Sequence, residues 1–156
     1  MKKPYIIVLS ILVLGVISFL TYFIVSNRTN LEFEKRDIAE LNPAIQTWIN
    51  ESCQDKKGIH LYEITKEKGY EAILYFNKYK DVYLYIEQEI DATFKDNKLM
   101  VSIIDQPATH DADVTNDFCL HITMNKKPGS IEFLLNDNQI EPQNSTSGEI
   151  DSAIGE

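Results

Sequence analysis

Residues 59–76, IHLYEITKEKGYEAILYF, predict the first pair of strands in this chain and decide its fold class. Ile59–Thr65 and Tyr70–Phe76 are rich in β-branched and aromatic residues, which favour strands. The tetrapeptide at 66–69, KEKG, lies between them, and a short segment ending in glycine is typical of a tight turn. We therefore expect two strands joined by this turn.

Four later stretches place apolar residues at every second position, which predicts four more half-buried strands. The clearest is Val82–Asp91, where Tyr83 and Tyr85 alternate with the apolar residues and so lie on the opposite face, beside Glu87 and Glu89. The apolar positions are Val82, Leu84, Ile86 and Ile90; Leu99, Val101 and Ile103; Phe118, Leu120, Ile122 and Met124; and Ile131, Phe133 and Leu135.

The region before residue 59 predicts one amphipathic helix. Asn42 can cap a helix and Pro43 suits its first position, since proline has no N–H group to leave unpaired. The apolar residues that follow are spaced three, one and four apart and form a single stripe: Ile45, Trp48, Ile49 and Cys53. The predicted fold class is α+β, with this helix and about six mostly antiparallel strands in a small sheet or β-sandwich.

An uncharged stretch at Tyr5–Val25, YIIVLSILVLGVISFLTYFIV, predicts an N-terminal transmembrane helix. At about 1.5 Å of rise per residue it reaches ~31 Å, close to the thickness of a bilayer's hydrocarbon core. The stretch is longer than the apolar part of a cleaved signal peptide, and bulky residues occupy the position of a cleavage site. We expect an uncleaved, single-pass anchor in contact with membrane lipid.

The anchor divides the chain into five predicted regions: a cytoplasmic stub at 1–4, the membrane span at 5–25, a stalk at 26–41, an extracytoplasmic α+β domain at 42–141 and a disordered tail at 142–156. Lys2 and Lys3 precede the span, which favours a cytoplasmic N-terminus. The tail is rich in Asn, Ser and Gly and has little to bury, which is typical of disorder.

The charge of the predicted domain excludes one class of partner. All 24 Asp and Glu residues follow the span, against 12 Lys and Arg from Lys35 onward. Nucleic-acid binding requires a basic surface that releases counterions, so we expect no nucleic-acid partner. Lysine is far commoner than arginine, a bias that favours an AT-rich bacterial genome.

Two cysteines, Cys53 and Cys119, would both lie outside the membrane in this topology. An oxidising compartment permits a disulfide between them, and so long a loop would contribute ~4 kcal/mol in the chain-entropy model. The other interpretation is two free thiols, and the sequence leaves both open. We expect Cys53 to lie under the sheet and Cys119 to be the more accessible of the two.

A cluster of candidate metal ligands lies in the polar loop Gln106–Asp117: His110, Asp111, Asp113 and Asp117. An imidazole and three carboxylates suit a divalent cation, so one function hypothesis is an anchored metal-dependent hydrolase. The cluster lacks the glycine and the bidentate glutamate of an EF-hand loop. Acidic, solvated loops are common, and no nucleophile lies near a glycine-rich turn, so the prediction is a non-enzyme without cofactor or metal.

Six tyrosines lie within the 24 residues from Tyr62 to Tyr85. Tyrosine is favoured at protein interfaces and also in cross-strand pairs that need no partner. We predict that Tyr83 and Tyr85 form a partner-binding surface. The function predicted from these patterns is a non-catalytic protein-interaction module anchored at the bacterial cell envelope, with an envelope protein as its partner.

Trp48 is followed by the segment KGIHLY at 57–62 and by predicted strands at 70–75, 82–90 and 99–103. This order resembles the C-terminal domain of PrcB-type protease-complex subunits, over about residues 48–140. The segment Ala112–Thr115 is similar as well. The resemblance implies an anchored, extracytoplasmic, non-catalytic domain of small β-rich fold, of a family in which some members assist a protease. Where that family has a Pro-Thr-Gly-Gly-Tyr turn, this chain has residues 77–83, NKYKDVY, and Tyr83 alone matches.

Overall fold

The computed structural model describes residues 13–19, 29–78, 86–107 and 117–155. Its helices are α1 at 13–19 and α2 at Pro43–Trp48, which continues as a π-helical turn at Ile49–Cys53; a 3₁₀ turn spans Ile38–Glu40. The strands within these described ranges are β1 Leu31–Arg36, β2 Gly58–Ile64, β3 Tyr70–Asn77, β4 Ile86–Lys95, β5 Lys98–Pro107, β6 Asp117–Met124, β7 Ser130–Leu135, β8 Asn138–Ile140 and β9 Asn144–Gly148.

The strands form two sheets in a mixed α+β fold. The five-stranded sheet has the order β1-β6-β3-β2-β9, and the four-stranded sheet has the order β4-β5-β7-β8. Most neighbours are antiparallel, while β2–β9 and β5–β7 are parallel. The turn between β4 and β5 contains Asp96 and Asn97, both with positive φ, as a two-residue turn matched to the strand twist requires.

The two sheets pack face to face around an inner core. From the five-stranded sheet it takes Ile59, Leu61, Tyr70, Ala72, Leu74, Phe76, Phe118, Leu120, Ile122 and Met124. From the four-stranded sheet it takes Ala92, Leu99, Val101, Ile103 and Phe133. These residues alternate along their strands, so each strand gives one face to the core. The domain is therefore a β-sandwich with an added helix.

A second apolar cluster, here called the helix-side core, covers the other face of the five-stranded sheet. Leu41 and residues of α2 and its π-helical turn pack there on alternate residues of β2, β3 and β6. The members are Leu41, Ile45, Trp48, Ile49 and Cys53 above Tyr62, Ile64, Ile73, Tyr75 and Cys119, with Ala153 from the C-terminal segment. The stripe predicted for this helix is confirmed, since all four of its residues are buried.

The predicted hairpin is confirmed as β2 and β3, which pair antiparallel from Gly58↔Asn77 to Ile64↔Glu71. Gly69 closes the turn with a φ of 83°, and a Cβ there would collide with the backbone oxygen of Met124. Strands at 99–103, 118–124 and 131–135 are confirmed too. The predicted strand Val82–Asp91 overlaps β4, while its residues 82–85 lie outside the described residues.

Two predicted boundaries are wrong. The stalk at 26–41 contains β1, which pairs with β6 from Leu31↔Met124 to Arg36↔Cys119 and so belongs to the sandwich. The tail at 142–156 contains β9, and Ala153 within it is fully buried. Both segments are held by pairing with residues distant in sequence, which local composition does not report.

The described part of the predicted membrane span is α1, whose apolar side chains are exposed: Val13, Leu14, Val16, Ile17 and Phe19. Within the ranges that the structure describes, no helix is both long enough and apolar enough to cross a bilayer. Residues 5–12 and 20–25 of the predicted span lie outside those ranges.

Candidate functional site

Two connections leave the sandwich at the same end. Residues 79–85 follow β3 and precede β4, and residues 108–116 follow β5 and precede β6. The strand ends that flank them are paired with each other, Asn77 with Asp117 in one sheet and Ile86 with Pro107 in the other. Both connections therefore cross between the sheets from neighbouring points, which we call the crossover end.

Polar side chains fix the described flanks of this end. The Nζ of Lys78 lies 2.8 Å from the Oδ2 of Asp105, and both side chains are largely buried, so an ion pair ties the two sheets together. The amide of Asn77 donates to the backbone oxygens of Cys53 and Gln54, at 3.1 and 2.8 Å. These contacts make the strand ends to which the two connections are joined a rigid base.

Most of the sequence-predicted site residues belong to these two connections. Tyr83 and Tyr85 lie in 79–85, and His110, Asp111 and Asp113 lie in 108–116, all outside the described residues. Asp117, at the start of β6, is described. Its Oδ2 accepts a hydrogen bond of 2.9 Å from the hydroxyl of Tyr75, so this carboxylate is engaged within the fold.

Both cysteines are free and fully buried in the helix-side core. The expectation that Cys119 is the more accessible one is wrong, because α2 and the C-terminal segment cover the face of β6 on which it lies. Burial raises the pKa of Cys53 to about 11 and that of Cys119 to about 12. At neutral pH neither forms the thiolate that a nucleophile needs.

His60 and Tyr75 are neighbours on the same face, with ring centroids 5.9 Å apart. The Nε2 of His60 lies 2.8 Å from the backbone oxygen of Lys56, and burial lowers the pKa of the imidazole. Burial and the bond to Asp117 raise the pKa of Tyr75. Both side chains are thus held in their neutral forms, as structural residues usually are.

Sequence reasoning missed a buried carboxylate, that of Glu71 on β3. Its Oε1 accepts hydrogen bonds of 2.9 Å from the Nε2 of His121 and from the backbone N–H of Ala153. Its Oε2 pairs with the Nζ of Lys66. Burial disfavours the charged form, but Lys66, Ala153 and His121 together outweigh it and lower the pKa of Glu71. Side chains alternate along a strand, so Glu71 and the core residue Ala72 lie on opposite faces of β3. This alternation is the feature of the sequence that indicates the position of Glu71.

The outer face of the four-stranded sheet carries a mixed apolar and acidic surface. Cross-strand neighbours there are Asp91 with Ser102 and Leu134, and Thr93 with Met100 and Glu132. Met100 is 36% exposed. Among the described elements, no helix packs on this face, in contrast to the face covered by α2.

Within the described part of the chain, no group of three or more His, Cys, Asp or Glu side chains is placed to hold a metal ion. Three of the four residues of the predicted cluster belong to the connection 108–116, outside the described residues. No protein family, curated protein or solved structure matches this chain.

Proposed function

We propose that this chain is a single-pass membrane protein whose extracytoplasmic domain binds another protein of the bacterial cell envelope and catalyses no reaction. The uncharged stretch at 5–25 is its lipid anchor, with the N-terminus in the cytoplasm. The exposed apolar side chains of α1 support this role, because a helix with an apolar surface requires an apolar environment.

The proposed interaction role depends on one observation. The connections 79–85 and 108–116 begin and end at strand ends that are paired with each other. The segment with Tyr83 and Tyr85 and the segment with His110, Asp111 and Asp113 are thus joined to one rigid base, stiffened by the Lys78–Asp105 pair. Loops on a rigid scaffold are the usual location of binding residues, and tyrosine is enriched in binding surfaces.

The chemistry of the described residues favours binding over catalysis. The two thiols have raised pKa values, and the buried carboxylate of Glu71 is fully engaged by donors. A nucleophile or general base needs a pKa suited to its task and access to a substrate. The resemblance to PrcB-type subunits agrees with a non-catalytic role.

The test is affinity capture from native membranes with Tyr83→Ser and Tyr85→Ser combined. We expect recovery of an envelope protein to fall at least tenfold while the domain stays folded. Phe33→Ser is the matched control, since Phe33 is 37% exposed and lies on β1, away from these connections. Equal recovery with the tyrosine variant and the control would disprove the proposed surface.

The orientation is tested by adding protease to intact protoplasts. We expect the domain to be removed and the chain to resist extraction with carbonate. A full-length band that is protected from protease would reverse the proposed topology.

The alternative, a metal-dependent hydrolase using His110, Asp111, Asp113 and Asp117, makes a different prediction. It requires about one equivalent of divalent metal in the purified chain, lost on replacing Asp113 by Asn. Metal analysis before and after that change therefore separates the two functions.

A further inference from the structure

The C-terminal residues 141–155, here called the strap, run along the edge of β2 and over the helix-side core. β9 within the strap pairs parallel with β2, from His60↔Asn144 to Ile64↔Gly148. Beyond β9, the backbone N–H of Asn42 donates to the backbone oxygen of Ala153 at 2.8 Å, and Leu41 and Ile154 form an isolated antiparallel β-bridge. The strap is therefore held mainly through its backbone.

The surface that holds the strap includes specific side-chain contacts in addition to the edge of β2. Buried Glu71 receives the N–H of Ala153, and the Ala153 side chain is fully enclosed. A Cβ at position 148 would collide with the hydroxyl of Tyr62, which cannot turn freely because its ring packs edge-on against Trp48. The site thus selects a glycine and, five residues later, a small residue with a free N–H.

The inner core does not depend on the strap. No residue of 141–155 belongs to this core or packs against it, while Ile140, just before the strap, does pack against it. The strap contributes to the helix-side core only Ala153 and the partly buried Ile150 and Ile154. Few buried apolar contacts are lost on its release, so it opens locally at a lower cost than global unfolding.

The sequence of β9, NSTSG, also has a low preference for strands, because β-branched and aromatic residues are scarce in it. β9 is held on β2 by backbone pairing, and the side chain of Asn144 adds a hydrogen bond with Cys53. Glu71 holds the strap further along, at the N–H of Ala153. Three residues, 141–143, link it to β8, and one of them is Pro142. A short, stiff hinge favours the exchange of an element between copies.

We propose that the edge of β2 and Glu71 form a binding site for an extended polypeptide segment, and that the strap is its exchangeable occupant. A second copy of this chain supplies the same segment, so two anchored copies associate by trading straps. This inference is independent of the partner proposed above, because it uses a different edge of the sandwich.

The experiment places a protease site between Glu141 and Pro142 in the full-length chain, kept in mild detergent. After cleavage, a labelled synthetic peptide of residues 142–156 is added. We expect the cut strap to remain bound and to exchange for the peptide at least tenfold faster than the domain unfolds. Loss of the strap on cutting, or exchange only at the rate of global unfolding, would overturn the proposal.

Two comparisons identify the site in this experiment. A peptide with Gly148→Val should bind at least tenfold more weakly, although valine favours strands, because of the clash with Tyr62. Glu71→Gln in the protein should weaken binding of the normal peptide, while Glu67→Gln, at an exposed position in the turn between β2 and β3, should leave that binding unchanged. Equal binding of the two peptides would disprove the site, and the peptide arm leaves the folded protein unaltered.

Association is tested with two differently tagged, full-length copies incubated together. We expect co-purification that falls at least tenfold when both copies carry Gly148→Val. Co-purification that persists in this variant would mean that the copies associate through another surface, and the exchange model would be wrong.

Discussion

The two sheets of the sandwich share one inner core but differ in what lies on their other faces. In the five-stranded sheet every residue of β3 is buried, including Glu71 and Asn77. In the four-stranded sheet Leu99, Val101 and Ile103 of β5 are buried, while Met100 between them is exposed. Alternation along a strand decides which residues point away from the inner core. Whether those residues are buried depends on a second layer that covers the outer face of the sheet.

The largest expected loss of stability follows from a substitution of Ile73, which is buried on the helix side of β3. Ile73→Ala should lower the free energy of unfolding by about 2–5 kcal/mol, as cavity-forming changes in a core do. Met100→Ala, on the outer face of the other sheet, should cost less than about 1 kcal/mol. Denaturant melts of both variants measure the difference. Similar losses would mean that the outer face of the four-stranded sheet is also covered.

The next largest loss of stability should follow from a substitution of Glu71, the buried carboxylate on the face of the five-stranded sheet that α2 covers. Glu71→Gln should cost about 1.5–3 kcal/mol at neutral pH, because charge-assisted hydrogen bonds to Lys66, His121 and Ala153 are lost. Glu67→Gln, in the exposed turn, is the control.

The pH dependence of stability tests the same carboxylate. The pKa of Glu71 is lowered in the folded chain, so the unfolded chain binds its proton first and stability falls as pH drops below about 4.5, the ordinary pKa of this group. Glu71→Gln should remove that part of the acid loss. An unchanged difference in stability between pH 7 and pH 4 would argue against a charged Glu71.

A smaller and kinetic effect concerns the thiols. Cys53 and Cys119 should both resist alkylation at pH 8 in the native chain, because both are buried and their pKa values are raised to about 11 and about 12. Unfolding without reductant should release two reactive thiols. Fast labelling of Cys119 alone would mean that the helix layer opens, and absence of both thiols after unfolding would mean a disulfide.

The smallest expected effect on stability is that of Tyr83→Ser combined with Tyr85→Ser. As surface changes, they should cost under about 1 kcal/mol. A melting curve run beside the capture experiment measures this. A loss of several kcal/mol would place both tyrosines in a core, and the proposed binding surface would be withdrawn.

The elements that the sequence predicts correctly are those formed by neighbouring residues. The hairpin of β2 and β3 has its turn and both strands within residues 58–77. The helix has its cap, its proline and its stripe within Asn42–Cys53, and the Asn42 side chain does accept from the N–H of Ala44 at 3.0 Å. In each case the pattern and the contacts that it needs are local.

The elements that the sequence misses depend on distant partners. β1, LEFEKR, has mainly charged residues and is a strand because β6 pairs with it. β9 is held by β2, and the burial of Cys119 comes from the covering helix. The turn at Asn136-Asp137, which leads to β8, is an exception with a local signal, because Asn and Asp tolerate the positive φ values that both residues have.

The pairing of β1 with β6 has a consequence for the order in which the chain can assemble. Leu31, in the first strand to be synthesised, is paired with Met124. The N–H of Asn30 is likewise received by the side chain of Asn125, 95 positions later. β1, the strand nearest the apolar segment, therefore cannot pair until β6 has been synthesised, when only β7, β8, β9 and the C-terminal segment remain to be made. Pairing between strands so far apart in sequence raises the contact order of this sheet, and a high contact order goes with slow folding in β proteins.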